Sequence, residues 1–182
     1  MGIFDRFKKK ESAYDVTDIR VVDLDKNFIF DYDLSTWIVK AVYEYDWGDD
    51  CFTKEFKIEN ENETLFLNID NDDELVISLT KKERIVNIDE NLPDYIVANK
   101  KPPSKIEFEG KTFLLEEESP GYFNDWEGDK DNWIEFISWD YIDKSGEFVL
   151  SLEQWGERKF EASSGKIIKE FEISNIYPQK QD

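Results

Sequence analysis

The chain has 182 residues, 40% hydrophobic and 15% aromatic, and its 43 acidic and 23 basic residues give a formal net charge of -20. This aromatic content is typical of a folded protein. The net negative charge excludes nucleic acids as partners, because proteins bind nucleic acids through their own clustered Lys and Arg side chains. With no His and one Cys, Cys51, the sequence excludes His-dependent catalytic triads, His-containing zinc sites and an intramolecular disulfide.

The first ten residues, MGIFDRFKKK, are charged oppositely to the body: their side chains sum to +3, which leaves -23 for the rest. On a helix their apolar side chains share an arc of about 100° flanked by basic side chains, which is typical of a short interfacial anchor. These ten residues begin a basic amphipathic segment over residues 1–17. We expect them to contact an anionic membrane weakly or to bind a protein partner. A frayed terminus and docking onto the protein's own acidic body are the alternatives. The expected contact residues are Ile3, Phe4, Arg6, Phe7, Lys8, Lys9 and Lys10.

Alternating apolar and polar residues predict a first β repeat over residues 18–93. Segments rich in β-branched and aromatic residues are separated by acidic turns such as WGDD and ENENE. The predicted strands are 27–33, 36–47, 64–70 and 74–88.

A Pro- and Lys-rich linker follows at residues 94–105. LPDYIVANKK (92–101) predicts one short helix that begins beside Pro93 and ends before Pro102. Proline is accepted in the first turn of a helix but not in its interior, which sets both limits.

Residues 106–178 form a second predicted β repeat, followed by a short tail at 179–182. Its turns, EGDKDN and DKSGE, are again acidic. The predicted strands are 104–110, 111–118, 132–143, 146–155 and 165–174.

The two repeats share more than a strand period. FDYDLSTWIV (30–39) aligns with IEFEGKTFLL (106–115), and the alignment then pairs LFLNID (65–70) with FVLSLE (148–153). Turn and Pro positions match as well. Chance similarity is the alternative to duplication, because all alternating strands share a period of two for geometric reasons alone. The predicted fold is all-β: two similar antiparallel β-meanders from an internal duplication, packed as a barrel or a sandwich, with at most one short helix near the middle.

Five stretches are more specific than a strand pattern: DYDLSTWIV, IEFEGKTFLLEE, FISWDYID, LSLEQWG and ISNIYP. Through them, over roughly residues 25–178, the chain resembles an uncharacterised bacterial family classed as a domain of unknown function. The resemblance implies an all-β cytoplasmic protein, often encoded near phage-shock membrane-stress genes and aminopropyltransferase-like genes. It implies no activity and no catalytic residues.

The sequence has no recognisable catalytic or metal-binding motif. NIDNDDE (68–74) lacks the Gly of a calcium loop, and among 43 acidic residues a carboxylate pair is no signal for glycosidase chemistry. We therefore expect no enzymatic activity, no cofactor and no metal site.

Aromatic residues beside acidic turns are the candidate ligand site. Trp side chains next to carboxylates can form a cage for a cationic amine such as a polyamine. The same residues could instead cap the ends of the core. The candidates are Trp47, Trp126, Trp133, Asp125 and Glu127.

Together these features favour a non-enzymatic, cytoplasmic, acidic interaction module. We expect an accessory protein of membrane-stress machinery, peripheral at the inner face of the membrane through residues 1–10. No apolar run approaches the roughly 20 residues of a membrane span, and the N-terminus lacks a secretory signal. The alternatives are an inhibitor that mimics nucleic acid towards a basic protein and a binder of cationic small molecules.

Overall fold

The structure, a computed structural model, describes residues 18–71, 74–128 and 131–179. In this part of the chain most regular elements are strands. The strands are β1 Phe28–Tyr32, β2 Ser35–Asp46, β3 Phe52–Glu59, β4 Thr64–Asp70, β5 Val76–Glu83, β6 Lys105–Phe108, β7 Lys111–Asp125, β8 Ile134–Asp143, β9 Phe148–Gly156, β10 Lys159–Ile168 and β11 Ser174–Pro178. Between β5 and β6 lie the helices α1 Ile85–Ile88 and α2 Leu92–Asn99.

These strands form one antiparallel sheet of two five-strand meanders. Strands β1 to β5 pair in sequence order, and so do β6 to β10. The meanders join where β5 pairs with β10, and β11 returns to pair with β1. The order of strands is therefore the same in both halves, as the predicted duplication requires; the duplication itself stays a prediction.

A further pairing closes the sheet on itself. The first part of β2 pairs with β1, whereas its residues 43–46 pair with residues 122–125 of β7. Eight strands consequently form a ring in the order β2, β3, β4, β5, β10, β9, β8, β7. Strands β1, β11 and β6 extend from this ring. The closure favours the barrel-like alternative of the two predicted packings.

One face of the sheet packs into two apolar cores, one for each meander. Phe56, Ile58 and Leu67 are buried in the first core at alternate positions of β3 and β4. Trp139 of β8 and Ile96 of α2 are buried in the second core. Since successive side chains of a strand point to opposite faces, the residues between these apolar positions face the space that the ring encloses.

The prediction of an all-β protein with at most one short helix near its middle is confirmed. Only α2 reaches seven residues among the described helices, and it begins with Pro93 in its first turn, as the sequence indicates. The predicted strand 74–88 is wrong at its end, because β5 stops at Glu83 and α1 follows. Ile85 and Ile88, three residues apart, both contact the second core, which is helical spacing and not strand spacing.

The predicted strand 165–174 is also displaced. Strand β10 already ends at Ile168, and a 3-10 turn follows at Glu170–Glu172. The backbone N–H of Lys169 donates to the Glu172 carboxylate at 2.7 Å, which satisfies a donor outside the sheet and ends the strand. Strands β3 and β11 have no counterpart among the predicted segments.

Candidate binding site inside the ring

The ring interior collects charged side chains from strands that are far apart in the sheet. Glu55 of β3 alternates with the core residue Phe56, so it points inward. Glu153 of β9 alternates with the core residue Leu152 in the same way. Strands β3 and β9 are four strands apart in either direction around the ring, yet the Glu55 charge raises the pKa of Glu153. The two carboxylates therefore lie within electrostatic reach across the interior.

Four charged side chains form what we term the interior charge cluster: Glu55, Lys82, Glu153 and Glu161. The Lys82 ammonium lies 3.1 Å from Oε2 of Glu161. Burial lowers the pKa of Lys82, but the charges of the three surrounding carboxylates outweigh burial and raise it overall. One ammonium thus faces three carboxylates.

The excess of negative charge alters the titration of the carboxylates. Burial raises the pKa of Glu55, and the nearby Lys82 charge opposes the change only in part. Burial, together with the charges of Glu55 and Glu161, raises the pKa of Glu153 to about 7, again against the attraction of Lys82. Near neutral pH the Glu153 carboxyl is therefore divided between its protonated and ionised forms.

Aromatic donors hold the same carboxylates in place. The Tyr45 hydroxyl donates to Oε1 of Glu55 at 3.2 Å, and the Trp155 indole N–H donates to Oε2 of Glu153 at 3.2 Å. On β8, burial raises the pKa of Asp140, whose carboxylate accepts a hydrogen bond from Ser138 at 3.1 Å. Asp140 is thus a third interior carboxyl with a raised pKa, beside Glu55 and Glu153.

A continuous aromatic wall lies beside the interior charge cluster. It consists of Tyr45, Trp47, Phe123, Phe136 and Trp155. The rings of Phe136 and Trp155 stack with centroids 4.6 Å apart, and those of Tyr45 and Trp47 stack at 5.6 Å. Phe123 meets both Tyr45 and Trp155 edge-on. Five rings, one each from β2, β7, β8 and β9 and one from the residue that follows β2, are thereby fixed against one another.

This combination of groups is suited to an organic cation. Carboxylates supply charge, and aromatic faces attract cations through their quadrupoles. The side chains of Lys82 and Glu161 stay 37% and 41% exposed, so the cluster is open to solvent on their side. Within residues 18–71, 74–128 and 131–179, no three Asp, Glu or Cys side chains are grouped so that they could hold a metal ion.

The predicted ligand residues are divided between two places. Trp47 belongs to the aromatic wall, and its indole N–H donates to Thr53 at 2.9 Å. Asp125 is the last residue of β7, and Glu127 lies in the turn that follows. There the Glu127 backbone N–H donates to the Asp125 carboxylate, and the Glu127 side chain pairs with Lys26.

Trp126 lies in that same turn and is 41% exposed, and Trp133 lies just before β8, partly buried. In the register of β2 and β7, Tyr43 is opposite Asp125 and Asp46 is opposite Tyr122. Trp47 and Trp126 therefore lie at opposite ends of this pairing, five residues and roughly 17 Å apart at 3.3 Å per residue. A single cage containing both is not assembled, and ligand binding by either stays a prediction. The predicted contact residues Ile3, Phe4, Arg6, Phe7, Lys8, Lys9 and Lys10 lie outside the described residues.

Sequence reasoning missed the interior charge cluster. Its members occupy the polar positions of alternating strands, and the alternation alone does not separate them from positions that face water. A signal was present in β8 to β10, whose polar positions include the small residues Ser138, Ser151 and Ser163. Small side chains at those positions leave room on the concave side of a curved sheet.

Fold and interior together define an all-β protein with a closed sheet and a polar, carboxylate-rich inner face. A family described as "Domain of unknown function (DUF4178)" matches residues 26–170, and the chain belongs to this family. The chain is also similar to an "Uncharacterized protein" of Aquifex aeolicus (strain VF5), with 25% identity over 186 residues that cover 98% of this chain and 100% of the relative. No solved structure matches the chain.

The expected membership of a domain family of unknown function is thereby confirmed, while the expected gene neighbourhood stays an expectation. None of the helices in the described part of the chain has the length and apolarity needed to cross a lipid bilayer.

Proposed function

We propose that the protein is a non-enzymatic binding module that holds an organic cation, such as a polyamine, inside the ring. The observation that carries the proposal is the interior charge cluster, in which three carboxylates face one ammonium beside the aromatic wall. A cation that enters would offset the repulsion that raises the pKa of Glu153. It would also gain contact with aromatic faces.

Binding of a cation should be linked to the proton on Glu153. A positive charge favours the ionised carboxylate, so the ligand and the proton compete. With the pKa of Glu153 at about 7, the affinity should rise about tenfold between pH 6 and pH 8, because the protonated fraction falls from roughly nine-tenths to one-tenth over that range.

Spermidine is a suitable probe, with NaCl used to hold the ionic strength constant. We expect micromolar binding, seen as a change in tryptophan fluorescence because Trp155 is bonded to Glu153. Glu153→Gln should remove the pH dependence. Glu157→Gln, which makes the same charge change at an exposed turn, should retain it. No saturable fluorescence change, or a pH dependence that persists in Glu153→Gln, would contradict the proposal.

The segregation of charge favours a second role, as an accessory protein of membrane-stress machinery that contacts anionic membranes or a protein partner. This role is supported by the sum of +3 over residues 1–10 in a chain of net charge -20. Each basic residue near an anionic leaflet contributes about 1 kcal/mol, and partial insertion of three apolar side chains adds to it.

Flotation with vesicles tests this second role. The full chain should float with anionic but not neutral vesicles and should be released by salt, whereas a chain lacking residues 1–10 should not float. Replacing Lys100 and Lys101, an exposed pair in the body, by Ser is the control and should change nothing. Equal behaviour of the full and shortened chains would refute membrane anchoring by this segment.

A further inference from the structure

A second site lies on the opposite face of the sheet, over the seam where β5 pairs with β10. A cavity of about 250 Å³ opens there between the two apolar cores. Leu79 of the first core and Phe113 of the second form parts of its walls, and Phe148 extends the second wall. We term it the seam cavity.

The floor of the seam cavity is fixed by a close approach of two backbones. Gly165 of β10 is opposite Thr80 of β5. A Cβ atom at position 165 would lie 2.0 Å from the Leu79 carbonyl oxygen, so only glycine allows this approach. The cavity is therefore built into the pairing of the two meanders.

The rim of the seam cavity is rich in lysine. Its lining includes Lys81, Lys111 and Lys166 but only one carboxylate, Glu109. In a chain with 43 acidic and 23 basic residues, such a group of lysines runs against the overall composition. Because Glu83 and Glu109 lie beside Lys81, Lys111 and Lys166 are the lysines left to attract an anion.

Two of these lysines lie over aromatic rings. The Lys111 ammonium is 4.2 Å from the centroid of the Phe148 ring, and the Lys166 ammonium is 5.7 Å from that of Tyr32. The third, Lys81, lies 3.1 Å from Glu83 and 3.7 Å from Glu109 and is 53% exposed. Lys111 can therefore turn towards an anion at the cost of a cation–π contact, which is weak at exposed sites. Lys166 would give up its side-chain hydrogen bond to Tyr32 as well.

We propose that the seam cavity binds a small amphipathic carboxylate, with its apolar chain between Leu79 and Phe113 and its carboxylate at Lys111 and Lys166. The volume equals roughly eight water molecules at about 30 Å³ each, which suits a chain of moderate length and not a drug-sized ligand. This site is separate from the proposed cation site, because Lys81 and Lys82 point to opposite faces of β5.

Octanoate is the probe, titrated into the ¹⁵N-labelled full chain and followed through backbone amide shifts. We expect saturable shifts at Ser164, Gly165 and Phe148, with little change at Glu153. Butyrate should bind more weakly because its chain leaves the cavity unfilled. Octylammonium, with a chain of equal length and the opposite charge, should not produce these shifts.

Variants separate the anion contact from folding. Lys111→Met keeps an unbranched apolar side chain over Phe148 and should weaken octanoate binding about tenfold, the effect of losing one charge-assisted contact. Lys111→Arg should retain binding. Lys105→Met, on the adjacent strand β6, is the control and should bind as the unmodified chain does.

Three results would overturn the proposal. The first is the absence of saturable shifts at the seam with octanoate. The second is equal binding of octylammonium, which would show that the cavity does not select for charge. The third is unchanged octanoate affinity in Lys111→Met. Because spermidine plays no part in this titration, failure here leaves the proposed cation site to be judged by its own experiment.

Discussion

Replacement of Glu153 by Gln should stabilise the protein above neutral pH and have little effect in acid. The folded chain holds the Glu153 proton more tightly than the unfolded chain, because burial raises the pKa from the ordinary 4.5 to about 7. The stability that this proton contributes is complete below about pH 4.5 and is lost as the pH rises through 7. Gln is a permanently neutral substitute that can still accept the Trp155 hydrogen bond.

The size of the effect follows from the difference between the two pKa values. The two pKa values differ by about 2.5, and each pKa unit corresponds to 1.36 kcal/mol. The unmodified chain therefore loses up to about 3 kcal/mol of stability between pH 4.5 and pH 8.5. Glu153→Gln should avoid that loss. Glu153 is only partly buried, so a gain of 1–2 kcal/mol at pH 8.5 would still agree with the reasoning.

Urea unfolding followed by tryptophan fluorescence at pH 5 and pH 8.5 measures this difference. Glu157→Gln controls for net charge, which both variants change equally. If the two variants gained the same stability at pH 8.5, relief of general repulsion would be the cause. If the gain of Glu153→Gln were the same at both pH values, the raised pKa would be refuted.

Two further predictions concern the frame that holds the sites. Gly165→Ala should cost at least about 3 kcal/mol of stability or prevent folding, since the new Cβ atom would lie 2.0 Å from the Leu79 carbonyl oxygen. Gly128→Ala is the control, because its Cβ atom would lie 3.7 Å from its nearest neighbour. Equal melting temperatures of the two variants would contradict this prediction. Tyr141→Phe should cost about 1 kcal/mol in urea unfolding, because the Tyr141 hydroxyl donates to the Pro103 carbonyl at 2.7 Å; an unchanged midpoint would show that water replaces this bond.

The strands were largely predictable from the sequence because their pattern is local. Leu150 and Leu152 alternate with the polar residues Ser151 and Glu153, and alternation alone predicts a face that is buried. Helix α1 was mistaken for strand because a four-residue element contains too few residues to separate the two periods. Ring closure was open for a different reason, since the pairing of residues 43–46 with 122–125 joins segments nearly 80 positions apart.

The candidate site was hidden by the same alternation. A period of two separates the residues of β3 into two faces, but it does not say whether the polar face meets water or the other side of a closed sheet. Glu55 and Glu153 differ from surface carboxylates only because the ring brings them towards each other. Trp47 was a candidate from the sequence and Trp155 was not, and their common neighbour Phe136 could not be read from either strand alone.

The net charge of -20 also conceals a division that the sheet imposes. Lys81 and Lys82 are adjacent in β5, but the strand directs Lys81 to the seam cavity and Lys82 to the interior charge cluster. The seam of β5 and β10 therefore has lysines and apolar walls on one face and an excess of carboxylates on the other. Because sequence composition averages over both faces, it indicates a uniformly acidic protein. Under the two proposals made above, the closed sheet presents two surfaces that favour ligands of opposite sign.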